Sequence, residues 1–114
     1  MTIEIQNSLI YNYDKNKIKK EHKPLSTSFS QIEVLNDGRI LILENYYKFK
    51  YEQKSNLYCL NQDIDIDWFL PIQNADIYVG FSTNGNQVFA NTWNGFRVGI
   101  DVETGKIISM QFTK

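Results

Sequence analysis

Leu57-Tyr-Cys-Leu-Asn-Gln-Asp-Ile-Asp-Ile-Asp-Trp68 and Arg97-Val-Gly-Ile-Asp-Val-Glu-Thr-Gly-Lys-Ile-Ile108 follow one plan. Each reads as an apolar strand, a tight acidic turn and a second strand. A fainter copy is Leu9-Ile-Tyr-Asn-Tyr-Asp-Lys-Asn-Lys-Ile18. The turn-opening residues Asp14, Asn61 and Asp101 are spaced 47 and 40 residues apart, near the period of a propeller blade. Upstream of the last two copies lies a second shared element. Ile32-Glu-Val-Leu-Asn-Asp-Gly-Arg-Ile-Leu-Ile-Leu43 parallels Ile77-Tyr-Val-Gly-Phe-Ser-Thr-Asn-Gly-Asn-Gln-Val-Phe89, each a strand, an Asn/Gly turn and a strand.

The periodicity around these units is two rather than 3.6. Gln87 to Trp93 and Phe96 to Asp101 alternate apolar with polar residues, as strands with one buried face do. Arg39-Ile-Leu-Ile-Leu-Glu44 has an unbroken apolar centre, the mark of a strand covered on both faces. Asn36-Asp37-Gly38, Asn84-Gly85-Asn86 and Asn94-Gly95 punctuate the runs as turns. No stretch has the stripe of a long helix, and Tyr46 to Ser55 reads as a long loop. The expected fold is all-β: two to three antiparallel, four-stranded, blade-like sheets packed as a partial propeller or sandwich. One domain spans 1–114, with a partial blade at 2–20 and blades at 30–70 and 76–112. Closed propellers have four or more blades, so neighbouring sheets must cover each other through Ile40, Ile42, Val79, Phe81, Val88 and Ile100.

With 42% hydrophobic and 14% aromatic residues in 114, the chain can bury a core without disulfides or metal. The single cysteine, Cys59, fits a reducing compartment. The N-terminus lacks a basic-then-apolar leader and no apolar run is long enough to span a bilayer, so a cytoplasmic protein is expected. A net charge of −1 provides no global field for nucleic acid or anionic lipid. The charge is unevenly placed. Residues 1–23 hold five lysines against Glu4, Asp14 and Glu21. Residues 55–105 hold Arg97 alone against Asp63, Asp65, Asp67, Asp76, Asp101 and Glu103, a net −5.

No nucleophile elbow, phosphate loop or spaced acid/base pair is present, so no catalytic residue, cofactor or metal ligand is assigned. His22, the only histidine, sits in a basic stretch and reads as a solvated edge-strand residue. Cys59 reads as a small packing residue. Asp63-x-Asp65-x-Asp67 fails as an EF-hand, because Trp68 and Asn74 stand where Gly and Glu are needed. Placed in a strand, the three carboxylates would share one face opposite Ile64, Ile66 and Trp68. They could discourage edge-to-edge association, form a docking stripe or hold a metal weakly. Tyr46, Tyr47, Phe49 and Tyr51 crowd a loop, as protein interfaces favour. Trp93 shares a strand face with Phe89 and is expected in the core.

Phe89 to Ile108, closing with Gln111 to Lys114 and joined by Asn56 to Asn61, resembles small bacterial immunity proteins of contact-dependent inhibition and polymorphic toxin systems. The resemblance covers roughly residues 30–114. It implies a cytoplasmic, non-enzymatic antitoxin that covers the active site of a cognate toxin, of ribonuclease type. A nuclease cleft is basic, and an acidic surface with aromatic anchors would complement it. The expected partner-binding residues are Tyr46, Tyr47, Asp63, Asp65, Asp67 and Asp76. The competing expectation is a ligand- or carbohydrate-binding β module with Trp93 and the tyrosines lining a groove.

Overall fold

A computed structural model of the protein describes residues 2–6, 9–14, 17–50, 54–73, 75–85 and 87–113, and for 2–6, 11–14 and 17–19 the backbone alone. Within these residues the chain is all-β, with no helix. The strands are β1 (Thr2–Gln6), β2 (Leu9–Asp14), β3 (Lys17–His22), β4 (Phe29–Val34), β5 (Ile40–Glu44), β6 (Leu57–Leu60), β7 (Ile66–Phe69), β8 (Tyr78–Asn84), β9 (Gln87–Thr92), β10 (Phe96–Asp101) and β11 (Lys106–Phe112). They form three antiparallel meanders: β1-β2-β3, β4-β5-β6-β7 and β8-β9-β10-β11. The repeats read in the sequence are the hairpins of the two four-stranded sheets. The fainter copy at Leu9 to Ile18 is the hairpin of β2 and β3.

Packing explains the sequence patterns. Leu41 and Leu43 of β5, with Leu57, Cys59, Trp68 and Leu70, meet Phe81, Val88, Ala90, Val98 and Ile100 of the third sheet. Ile40 and Ile42, with Tyr58, Leu60 and Ile64, meet Ile10 of the first sheet. The β4–β7 sheet is therefore the middle layer, and β5 and β6 are buried on both faces. The unbroken apolar runs of these two strands follow from that position. Ile40 and Ile42 do not join Phe81 and Val88 in one core, because alternate β5 residues face opposite layers. Val79, at a register shift in β8, is only half-buried.

Two side-chain amides hold the second interface together. Gln31 Nε2 donates to the Phe81 carbonyl at 3.1 Å, and its Oε1 accepts from the Phe81 amide at 2.8 Å. Buried Asn56 donates to the Tyr78 and Glu44 carbonyls at 2.8 and 3.0 Å, and its Oδ1 accepts from the Tyr78 amide at 3.3 Å. Each amide acts as one residue of a missing strand and covers the free edge of β8. This satisfies backbone groups that would otherwise be exposed to edge pairing.

The acidic run is not one strand face. Asn61 to Asp65 form the β6–β7 turn. Asn61 Oδ1 accepts from the amides of Asp63 and Asp65 at 2.9 and 3.0 Å, and Ile64 adopts φ 57°. Turn chemistry at Asn61 overrides the alternation: Ile64 and Trp68 are buried, but Ile66 is exposed. Tyr46 to Ser55 contains no helix in its described part, 46–50 and 54–55. Trp93 is not in the core. Register pairs Phe89 with Gly99 and Ser82 on the solvent face of the third sheet, and Trp93 lies in the turn that follows β9.

Candidate functional site

The strands give the molecule two poles. In the middle sheet, Leu43 pairs with Leu57 and Ile40 with Leu60. The loop carrying Tyr46 and Tyr47 thus lies at one end of β5, and the turn carrying Asp63 and Asp65 beyond the other. A five-residue strand separates them by roughly 17 Å. The expected tyrosine anchors and the aspartates of 63–67 are therefore not one patch.

The acidic pole is built from turns. Leu35 to Arg39 closes β4–β5, with the Leu35 amide on the Arg39 carbonyl at 2.8 Å. Asp101 to Lys106 closes β10–β11, with Asp101 Oδ1 accepting from the Glu103 amide at 3.0 Å. Between these turns runs a groove of about 580 Å³ lined by Glu33, Asp37, Asp101 and Glu103, with Arg39 as the cation in its wall. Exposed Val34 and Ile108 flank it. Arg39 is occupied: it binds Asp37 at 2.8 Å, Asp67 at 3.4 Å and the Val102 carbonyl, with Glu103 at 3.9 Å. The Arg39 backbone amide and guanidinium hold the Asp37 carboxyl below the ordinary carboxylate range. Asp65 pairs with Lys20 of β3. Asp63 is exposed at the turn tip.

The aromatic pole gathers three of the expected residues. Asn45 Oδ1 accepts from the Tyr47 amide at 2.8 Å, and Phe49 is buried, so the loop is folded back on the sheet. Tyr47 is 68% exposed. The Tyr46 and Trp93 rings lie 5.2 Å apart at 45°. With Ala75, Asp76, Ile77 and Asn94 they line an open cavity of about 260 Å³. Asp76 is only 7% exposed and caps two backbones: its Oδ1 accepts from the amides of Ile77 at 2.8 Å and Asn94 at 3.1 Å. The Tyr78 hydroxyl, donating to the Pro71 carbonyl, secures the same loop. Burial, with the Asp76 charge adding to it, pushes that phenol's pKa up.

His22 is not solvated. It is buried, stacks on Phe29 at 5.9 Å and meets the Tyr58 hydroxyl at 2.8 Å through Nε2. Tyr58 donates to Glu44, which is 1% exposed. Glu44 also accepts from the amides of Leu25 at 2.7 Å, Ser26 at 2.8 Å and Thr27 at 3.1 Å. Burial lowers the His22 pKa, Glu44 acts the other way, and Lys20 lowers it further. The geometry of a base, a hydroxyl and an acid is present. Yet among the described residues every donor aimed at the Glu44 carboxylate comes from the 23–28 connector or from Tyr58. The network fastens the first sheet to the second. In the sequence, Glu44 looked like a strand end and nothing linked it to His22. Only the fold shows the pairing.

Among the described residues no group of His, Cys, Asp and Glu is placed to hold a metal ion, and no helix is long and apolar enough to cross a membrane. The architecture defines an all-β stack of three antiparallel meanders with an acidic and an aromatic pole. The chain belongs to the family described as a domain of unknown function (DUF7957), whose family model matches residues 7–112. Comparison with curated proteins gave no match.

Proposed function

We propose that the protein is a non-enzymatic immunity protein of the cytoplasm that binds a cognate toxin of basic, ribonuclease type and blocks its active site. The acidic groove carries this reading. It presents four carboxylates against one already paired arginine, with apolar Val34 and Ile108 at its sides. That combination suits a basic partner: charge speeds and orients the encounter, while the apolar flanks supply buried area. The turns that form the groove are anchored by backbone bonds and by Arg39, so little ordering cost accompanies binding.

The test begins with the toxin captured with the tagged protein from its native host. Co-expression should protect cells from it. The triple variant Glu33→Gln, Asp63→Asn, Glu103→Gln should slow association and flatten its salt dependence while the fold persists. Capture of no toxin, or a triple variant that associates as fast as the parent, overturns the reading. The second reading, a carbohydrate-binding module, has the exposed Tyr46–Trp93 pair in its favour, and glycan-array binding lost in Trp93→Ala would establish it.

A further inference from the structure

At the aromatic pole, the Asp76 carboxylate is buried, yet only half of its hydrogen-bonding capacity is used. Oδ1 takes both backbone amides, and among the described residues Oδ2 has no hydrogen-bond partner. Asp76 lines the open cavity of about 260 Å³ and also a smaller one of about 30 Å³ behind it, toward Tyr78 and Phe96. Among the described residues, no lysine or arginine lines either cavity. A buried charge without a counter-charge is costly, and proteins resolve it by pairing. Here the mouth of the cavity is walled by Tyr46 and Trp93, whose rings can take a cation over their faces. The chain uses the same chemistry elsewhere: Arg97 lies 4.4 Å from the centroid of Phe89.

We propose that this cavity receives a guanidinium group, delivered as an arginine side chain on the surface of a protein partner. A planar guanidinium meets both demands of the site. Its N–H groups reach the free carboxylate oxygen, and its faces stack on an aromatic ring. A neutral sugar could lie on the rings but would leave the carboxylate charge uncompensated. Trp93 is 58% exposed and Tyr46 42% exposed, so the mouth is too open to enclose a free amino acid. It matches a side chain that a larger surface holds in place. The site lies at the pole opposite the acidic groove and does not depend on the toxin-binding reading. The probe below involves no toxin, so either idea can fail alone.

The experiment is a titration of the full chain with N-acetyl-arginine-N-methylamide, followed by amide and indole NMR resonances. The Trp93 indole and the Asn94 amide should shift saturably, while the Trp68 indole, in the core, stays fixed. Asp76→Asn keeps the oxygen that caps Ile77 and Asn94 but removes the charge, and should weaken binding about tenfold or more. Trp93→Ala, at an exposed turn, should weaken it too and serves if the Asp76 variant unfolds. Methyl glucoside should leave the resonances unchanged, and free L-arginine should bind no more tightly than the blocked amide. Absence of a Trp93 shift overturns the proposal. So does binding indifferent to both variants, a glucoside response, or a marked preference for free arginine.

Discussion

The Trp68 indole Nε1 donates to the Val102 carbonyl across 3.0 Å, tying the edge strand of the middle sheet to the last turn of the third. Arg39 reaches the same carbonyl from the β4–β5 turn. One backbone oxygen thus gathers two sheets, and the acidic groove opens directly beside it. Trp68→Phe keeps most of the buried ring and loses the hydrogen bond, a loss of about 1 kcal/mol. Trp68→Ala also opens a cavity and should cost about 3–5 kcal/mol. Urea denaturation of the two variants should separate these effects by their midpoints.

Gly105 sits in the turn that Trp68 packs against. Its φ is 74°, and a β-carbon there would lie 2.5 Å from the indole. Gly105→Ala therefore combines backbone strain with overpacking and should destabilise by about 2 kcal/mol or more. Gly85 is the control. It has φ 63° but nothing within 4 Å of an added β-carbon, so Gly85→Ala should cost only the left-handed backbone penalty, about 1 kcal/mol. Equal losses in the two variants would refute the close contact with Trp68.

The hairpins were legible because they are local: strand alternation, Asn and Gly turns and a repeat of about 40 residues lie on short stretches of chain. The double burial of β5 was legible as well, since Ile40 to Leu43 is apolar without a break. The long-range polar links were not. Gln31 and Asn56 look like ordinary surface residues until β8 is placed against them. Asp76 and Asp63 look alike in a charge count, but one caps a buried loop and the other sits at a turn tip. Trp93 continues the alternation of β9 in sequence, but the strand ends at Thr92 and the next residue turns away from the core.

Cys59 is fully buried in β6, and burial pushes its thiol pKa up to about 12. The thiolate is the reactive species, so the folded protein should resist Ellman's reagent at pH 8. Labelling should appear only with unfolding, and its urea dependence should track the loss of structure seen by circular dichroism. Fast labelling in the absence of urea would contradict the described packing of the two sheets around β6.

Stability should fall on mild acidification through His22. In the folded chain burial favours the neutral imidazole and lowers its pKa below the ordinary value of 6.5, against the pull of Glu44 and with the help of Lys20. The unfolded chain then binds more protons than the folded one between the two pKa values. Stability contributed by the neutral ring is complete above about pH 6.5, declines as the pH falls below it, and levels off below the folded value. The Tyr58 hydroxyl donates to Glu44, so its oxygen accepts from Nε2–H of His22. Protonation would add a charged Nδ1–H in a buried setting beside Phe29. His22→Phe removes the titration, so the difference in unfolding free energy between parent and variant should shrink from pH 7.5 to 5.5. Tyr58→Phe leaves Glu44 and His22 each short of a partner and should cost about 1–3 kcal/mol at neutral pH. A parent–variant difference that stays constant with pH would mean that the imidazole titrates as if in water, against its buried place between the first two sheets.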